Sequence, residues 1–228
     1  GVTISVKILL EGPYSSTGDS LRTSINGNVP LSQPYGESEF TSTPLEYSGS
    51  ESVISMPALA VDWVLVQLRT GSPGAQTIVG TKAALLLSDG SVVDTDGLSP
   101  LTFDALASGS YYVVVFQRNH LGVMSASSVS LTASTTIYDF SNSSAKAFGA
   151  SPMKDLGSSS FGLWAGDPSV DGQVTTSDFN QWLTATKAAL VGYQITDMNL
   201  DGGVTAADFN LWLANTKVAA LSKVPGVP

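Results

Sequence analysis

Asp167–Leu190 reads DPSVDGQVTTSDFNQWLTATKAAL, and Asp197–Ala220 reads DMNLDGGVTAADFNLWLANTKVAA. The second stretch starts 30 residues after the first (197 minus 167) and repeats more than half of its residues in place. A repeat of this length marks a duplicated supersecondary unit. Each copy opens with spaced oxygen donors: Asp167, Ser169, Asp171, Thr175 and Asp178, then Asp197, Asn199, Asp201, Thr205 and Asp208. Counted from the first Asp, they occupy loop positions 1, 3, 5, 9 and 12, with Gly172 and Gly202 at position 6. That is the spacing of a calcium loop of the EF-hand type.

The spacing has a physical cause. A hard cation takes six to eight oxygens at about 2.3–2.6 Å, so the chain must coil tightly around it. Glycine at position 6 permits the sharp turn. The backbone carbonyls of Gln173 and Gly203, at position 7, add another oxygen. The expected ligands are therefore Asp167, Ser169, Asp171, Gln173 and Asp178 for one Ca2+, and Asp197, Asn199, Asp201, Gly203 and Asp208 for a second. Val174 and Val204, at position 8, are expected to pair the two loops or plug the core. Asp178 and Asp208 fall in the first turn of a helix, where negative charge is favoured. Phe179, Trp182, Leu183 and Thr186 form one face of that helix, repeated by Phe209, Trp212, Leu213 and Thr216. An Asp- and Gly-rich surface turn, duplicated with its helix, is the competing account.

No helical pattern precedes the first loop; the run before it is SSSFGLWAG. A loop-then-helix unit present twice without an entering helix resembles the type I dockerin family over about Gly166–Leu221. Pro168 at position 2, Ser169 at position 3 and Trp in the helix depart from the family pattern, and position 12 is Asp rather than the Glu usual in an EF-hand loop. The resemblance implies a module that plugs a chain into a cohesin-like partner. It implies that loop positions 10 and 11, here Thr176, Ser177, Ala206 and Ala207, contact that partner.

The 228 residues carry 19 acidic against 10 basic side chains, and only 13% are charged. About 25% is usual, so Ser, Thr and Gly replace charge in a way that suits an extracellular β-rich surface. No Lys/Arg cluster suits nucleic acid or an anionic membrane. There are no cysteines, which excludes disulfides, thiolate metal sites and a catalytic Cys. No apolar run is long enough to span a membrane. The start Gly-Val-Thr-Ile reads as a mature secreted chain after leader removal.

Upstream of the repeat the pattern is β. Val2–Leu10 alternates; Ser15–Ser50 is a polar excursion with several Pro and Gly; Ser52–Met56 reads as a strand. Val61–Thr70 (VDWVLVQLRT) is apolar on both faces and is expected to lie centrally. Ala83–Ser88 leads into Asp89-Gly90, a hairpin signal. Gly109–Arg118, Val129–Ala133 and Thr136–Phe140 complete about eight strands, the pattern of a β-sandwich resembling immunoglobulin- or fibronectin-like domains. The expected fold is thus mainly β: a sandwich over 1–140, a Ser/Gly-rich linker over 141–162, and a small helical dockerin-like module over 163–228.

No catalytic constellation stands out. His120, the only histidine, has no Gly-x-Ser-x-Gly elbow to serve, and reads as a strand-end residue bonded to backbone. Asp62 beside Trp63 is the carboxylate to watch; Asp89, Asp94 and Asp96 could form a third calcium site or simply cap turns. Tyr14, Tyr35 and Tyr47 are candidates for a carbohydrate platform. The functional expectation is a secreted, non-enzymatic, calcium-binding subunit of a surface assembly. It would form by head-to-tail self-association, with Val2–Leu10 as a strand donated to a neighbour. The alternative is docking onto a cohesin-like protein.

Overall fold

The stretch Ala60–Thr70 is buried at every position but its last, as its doubly apolar sequence requires. In the computed structural model, which describes residues 1–74 and 76–227, it is the spine of one large sheet. The strands are β1 (Val2–Lys7), β2 (Tyr14–Ser15), β3 (Ser20–Leu21), β4 (Ala60–Thr70), β5 (Thr77–Leu87), β6 (Ser91–Val93) and β7 (Leu101–Phe103). They continue with β8 (Gly109–Gln117), β9 (His120–Met124), β10 (Val129–Leu131), β11 (Thr136–Asp139), β12 (Lys154–Gly157) and β13 (Ser160–Gly162). Two helices follow, α1 (Thr176–Lys187) and α2 (Ala206–Thr216).

Nine strands form a single hydrogen-bonded path in the order β10-β8-β4-β5-β6-β1-β11, with β7 added on β1 and β9 on β8. Leu65 of β4 faces Ala83 on one side and Phe116 on the other. All the pairings are antiparallel except β1 with β11. The sheet curls until its ends meet: the Thr3 N–H donates to Thr132 O at 2.8 Å, just past β10. The chain is therefore mainly β, with its core inside the curl around Trp63, Phe40, Phe116 and Phe140. At the β5–β6 hairpin, Gly90 has φ of 87°. A Cβ there would lie 2.5 Å from Ile8 O, so the Asp-Gly turn is fixed by crowding as well as by handedness.

Three expectations need correction. Val2–Leu10 is not a free strand for donation. β1 pairs with β6, β7 and β11 of its own chain, and Val2, Ile4 and Val6 are buried; a strand paired along both edges has no ladder left to offer. Ser52–Met56 forms no strand, only a bridge between Ser52 and Ser32, because Pro57 removes a donor and its predecessor is restricted. Tyr35 cannot serve a carbohydrate platform: it is fully buried and its hydroxyl donates to Trp63 O at 2.8 Å.

Residues 141–162 are more structured than a linker. They hold the β12–β13 hairpin and are tied to the sheet by backbone bonds, Phe148 N–H to Met124 O and Phe161 N–H to Ser141 O, both 2.8 Å. Beyond them, Leu163 N–H donates to Leu9 O at 2.8 Å and Leu121 N–H to Trp164 O at 2.8 Å. The entry to the helical module is thus stitched to β9 and to the segment just past β1.

Candidate metal-binding loops

The two loops have the same construction. Thr175 and Thr205 are N-caps: each hydroxyl accepts the N–H two residues on, from Ser177 at 3.3 Å and Ala207 at 3.2 Å. Asp178 and Asp208 reach back to the cap N–H groups of Thr175 and Thr205, each at 2.7 Å, which makes a capping box at the head of each helix. The same carboxylates span the loop: Asp178 also accepts from Ser169 N–H at 3.0 Å, and Asp208 from Asn199 N–H at 3.0 Å. At the loop mouth, Asp167 accepts from Asp171 and Gly172 N–H at 3.2 and 3.0 Å, and Asp197 from Asp201 and Gly202 at 3.1 and 2.8 Å. Asp171 and Asp201 accept from Gln173 and Gly203 N–H.

The coil is tight enough to force position 4 into the left-handed region, with Val170 at φ 57° and Leu200 at φ 56°. A β-branched residue there is strained; the burial of both side chains holds them in place. Gly172 and Gly202 follow at φ 81° and 90°.

Asp167, Asp178, Asp197 and Asp208 are buried, three of them with no exposed surface. Burial, with the neighbouring Asp178 and Asp171 charges, pushes the Asp167 carboxyl well above the usual carboxylate range. Burial raises Asp178 and Asp208 as well, and lifts Asp197 to about 6. Each loop therefore buries negative charge that its own N–H groups only partly balance.

Among the described residues, no group of three or more His, Cys, Asp or Glu side chains is arranged so that it could hold a metal by itself. In these loops the carboxylates are divided among backbone donors, and the remaining oxygens come from Ser169, Asn199 and the chain. An ionised carboxylate has about four lone-pair sites, so an oxygen bonded to one N–H keeps capacity for a cation. The donor set is all oxygen, which suits calcium rather than a softer ion. The residues fit the ion that their spacing implies.

The two copies interlock. Val174 and Val204 are buried but do not pair the loops with each other. Gln173 bridges Leu221, beyond α2, and Gly203 bridges Val191, beyond α1. Each loop is thus closed by the segment following the opposite helix. The indole N–H of Trp182 donates to Thr205 O at 2.9 Å and that of Trp212 to Thr175 O at 2.6 Å, and the rings of Phe179, Trp182, Phe209 and Trp212 pack between the helices.

Sequence reasoning missed the seat beneath the module. The turn between β8 and β9 carries Gln117-Arg118-Asn119-His120, all buried. The Asn119 carbonyl accepts the N–H groups of Gly166 and Asp167, both at 3.1 Å. Its side-chain amide donates to Ile195 O at 2.8 Å and Asp197 O at 2.7 Å. One residue of the sheet thereby fixes the first donor of both loops. Arg118 donates to Gln194 O, lies 4.2 Å over the Tyr193 ring, and pairs with Asp62 at 2.8 Å. Burial, the largest single effect, would lower the guanidinium; Asp62 together with Tyr193 and Asp197 more than offsets it, and the net shift is upward. Asp62 also accepts from the Tyr193 hydroxyl at 2.6 Å and from Gln117 at 2.8 Å. It is a structural anion in a central strand, not a turn cap. The available sequence signal was four polar residues in a row interrupting an otherwise apolar run.

His120 occupies a strand end and bonds to backbone: Nε2 accepts from Gly12 N–H at 3.1 Å, so Nδ1 carries the proton and donates to Gln117 and Asn119 oxygens at 2.8 Å. Burial, then the Arg118 charge, lowers it to about 3. Asp89 and Asp96 cap the N–H groups of their own turns, and Asp94 pairs with Lys82. Each of the three is thus occupied locally. Thr176, Ser177, Ala206 and Ala207 are exposed.

No protein-family model matches the chain, and no curated protein matches it. Two solved structures resemble it. One is a C-terminal interface mutant of a type II Cohesin-X-Dockerin complex from Acetivibrio cellulolyticus, 18% identical over 94% of this chain and 95% of that one, with a TM-score of 0.45. The other is an N-terminal interface mutant of such a complex from the same organism, with the same identity and coverage and a TM-score of 0.42. A likeness of this size leaves the partner and activity of this chain to be argued from its own residues. Among the described residues, no helix is long and apolar enough to cross a membrane.

Proposed function

We propose that this chain is a non-enzymatic, extracellular attachment protein whose C-terminal quarter is a dockerin-like module built on two calcium ions. The observation that carries this is the paired burial of Asp167 with Asp178 and of Asp197 with Asp208, at opposite ends of loops whose donors repeat in register. Burying several like charges is costly without a compensating cation. Asp167, Ser169, Asp171, the Gln173 carbonyl and Asp178 would hold one ion; Asp197, Asn199, Asp201, the Gly203 carbonyl and Asp208 would hold the other. The charge supplied by calcium would offset that repulsion and fix the shape of both helix heads. The exposed residues Thr176, Ser177, Ala206 and Ala207 at those heads would then meet a cohesin-like partner.

Docking is favoured over self-association by strand donation, because β1 is already paired within its own chain. Titration calorimetry on chelator-treated protein tests the metal sites, with two calcium ions bound per chain expected; no heat would overturn them. Sedimentation in millimolar calcium tests the mode of association. A monomer that binds a cohesin module, and loses it on Ser177→Arg with Ala207→Arg, is expected. A homopolymer indifferent to cohesin would restore the self-assembly reading.

A further inference from the structure

The two copies of the helix differ at one buried position. Ala185 of α1 corresponds to Asn215 of α2, and Asn215 is completely buried. A carboxamide there is costly unless every polar atom finds a partner. Its partners come from far along the chain. Nδ2 donates to Ala165 O at 2.8 Å and to Glu11 Oε2 at 2.5 Å. Oδ1 accepts from Lys154 Nζ at 3.3 Å. Lys154 Nζ in turn lies 3.0 Å from Glu11 Oε1, and those side chains are only 27% and 9% exposed. The Trp164 ring covers the ammonium at 4.7 Å, and Ala165 N–H holds the second Glu11 oxygen at 3.0 Å. An amine, a carboxylate and a carboxamide are therefore held in mutual contact, largely shielded from water.

We propose that these three residues form an intramolecular isopeptide bond between Lys154 and Asn215, with Glu11 as the proton carrier. The geometry assigns each step. Glu11 Oε1 takes a proton from the Lys154 ammonium. The freed lone pair on Nζ attacks Cγ of Asn215, whose Oδ1 already lies 3.3 Å from that nitrogen; holding amine and carboxamide together removes the entropy cost of bringing them into contact. Glu11 Oε2 already faces Nδ2, so the carboxyl delivers its proton to the nitrogen that leaves. The Nζ–Cγ bond forms, the Cγ–Nδ2 bond breaks and ammonia leaves; Glu11 then takes the second Nζ proton, which the departing ammonia carries away as ammonium. Lysine ammonium plus carboxamide becomes secondary amide plus ammonium, with atoms and charge conserved and no oxidant or co-reactant needed. The link would fasten the β12 hairpin to the last helix in a chain without cysteine, the role a disulfide would otherwise take. It stands independently of the calcium reading.

Intact-mass spectrometry of the folded full chain tests it. The expected mass is lower than the sequence mass by one ammonia, and proteolysis should release a branched peptide joining Lys154 to Asn215. Lys154→Arg keeps the ion pair with Glu11 and should return the full mass; Asn215→Ala, the residue tolerated in the first copy, should do the same. Glu11→Gln should slow the linkage at least about a hundredfold. A cooperatively folded wild-type protein of unchanged mass would overturn the proposal. So would a loss of ammonia that persists in Lys154→Arg, since that marks a succinimide at Asn215 instead. Linkage at the wild-type rate in Glu11→Gln would overturn the role of Glu11.

Discussion

The two loops share their donor spacing but not their support. Asp208 accepts three backbone N–H groups, from Met198, Asn199 and Thr205. Asp178 accepts two, from Ser169 and Thr175, because Pro168 stands where Met198 does and has no N–H to give. The second loop also rests on side chains of the sheet, through Asn119 and Arg118, whereas the first is held there through backbone alone. The repeat thus gives two equal donor spacings, and the seat makes their surroundings unequal. The second loop is the better ordered before any ion arrives, so it is expected to bind calcium more tightly.

The largest expected effect breaks the seat itself. Asp62→Asn leaves Arg118 buried without its counter-charge and should cost about 3–5 kcal/mol in chemical denaturation. A loss below about 1 kcal/mol, the scale of an exposed pair, would show that the Asp62–Arg118 pair does not support the module. Next, Asn119→Ala removes two buried hydrogen bonds from the second loop while leaving the Asn119 carbonyl for the first. It should weaken the tighter calcium step by about 2 kcal/mol, some thirtyfold, and leave the weaker step in place. Calorimetry showing both steps weakened equally would erase the distinction drawn here.

Smaller still, Pro168→Met restores the missing donor and should tighten the weaker step by about 1.5 kcal/mol, roughly tenfold; an unchanged step would mean the third N–H contributes nothing. The last test is a slope. With the Asp197 carboxyl raised to about 6 from the ordinary 3.8, the metal-free fold holds a proton that the unfolded chain releases. Stability of the metal-free protein from this group therefore rises as pH falls through 6 and is lost as pH rises above it. Calcium competes with that proton, so the gain in melting temperature on adding calcium should shrink between pH 7 and 5. The uptake of a proton by unfolded His120 acts with and without calcium, so the difference between the two melts isolates the loops. A calcium-induced gain that grows on acidification would contradict the assignment.

The loops were readable because their geometry is local. Position 1 and position 12 of each loop are joined by a short coil, and a capping box sits within four residues, so residue type and spacing suffice. The central strand was readable for a similar reason: two apolar faces on Ala60–Thr70 leave little choice but the middle of a sheet. The seat was not. Asp62 and Arg118 are 56 residues apart, and Asn119 and Asp197 are 78 apart. The Glu11–Asn215 contact spans 204 residues. Nothing in the local pattern around any of them names its partner.

The residues alone established that two oxygen-donor loops head two amphipathic helices behind a β-rich body, since donor spacing, helix capping and strand alternation each act over a few neighbours. Which strands had free edges, which loop was braced and which amine met which amide were decided only in three dimensions. Those outcomes depend on distant segments converging in a dry interior, where an unpartnered charge or amide costs too much to leave alone.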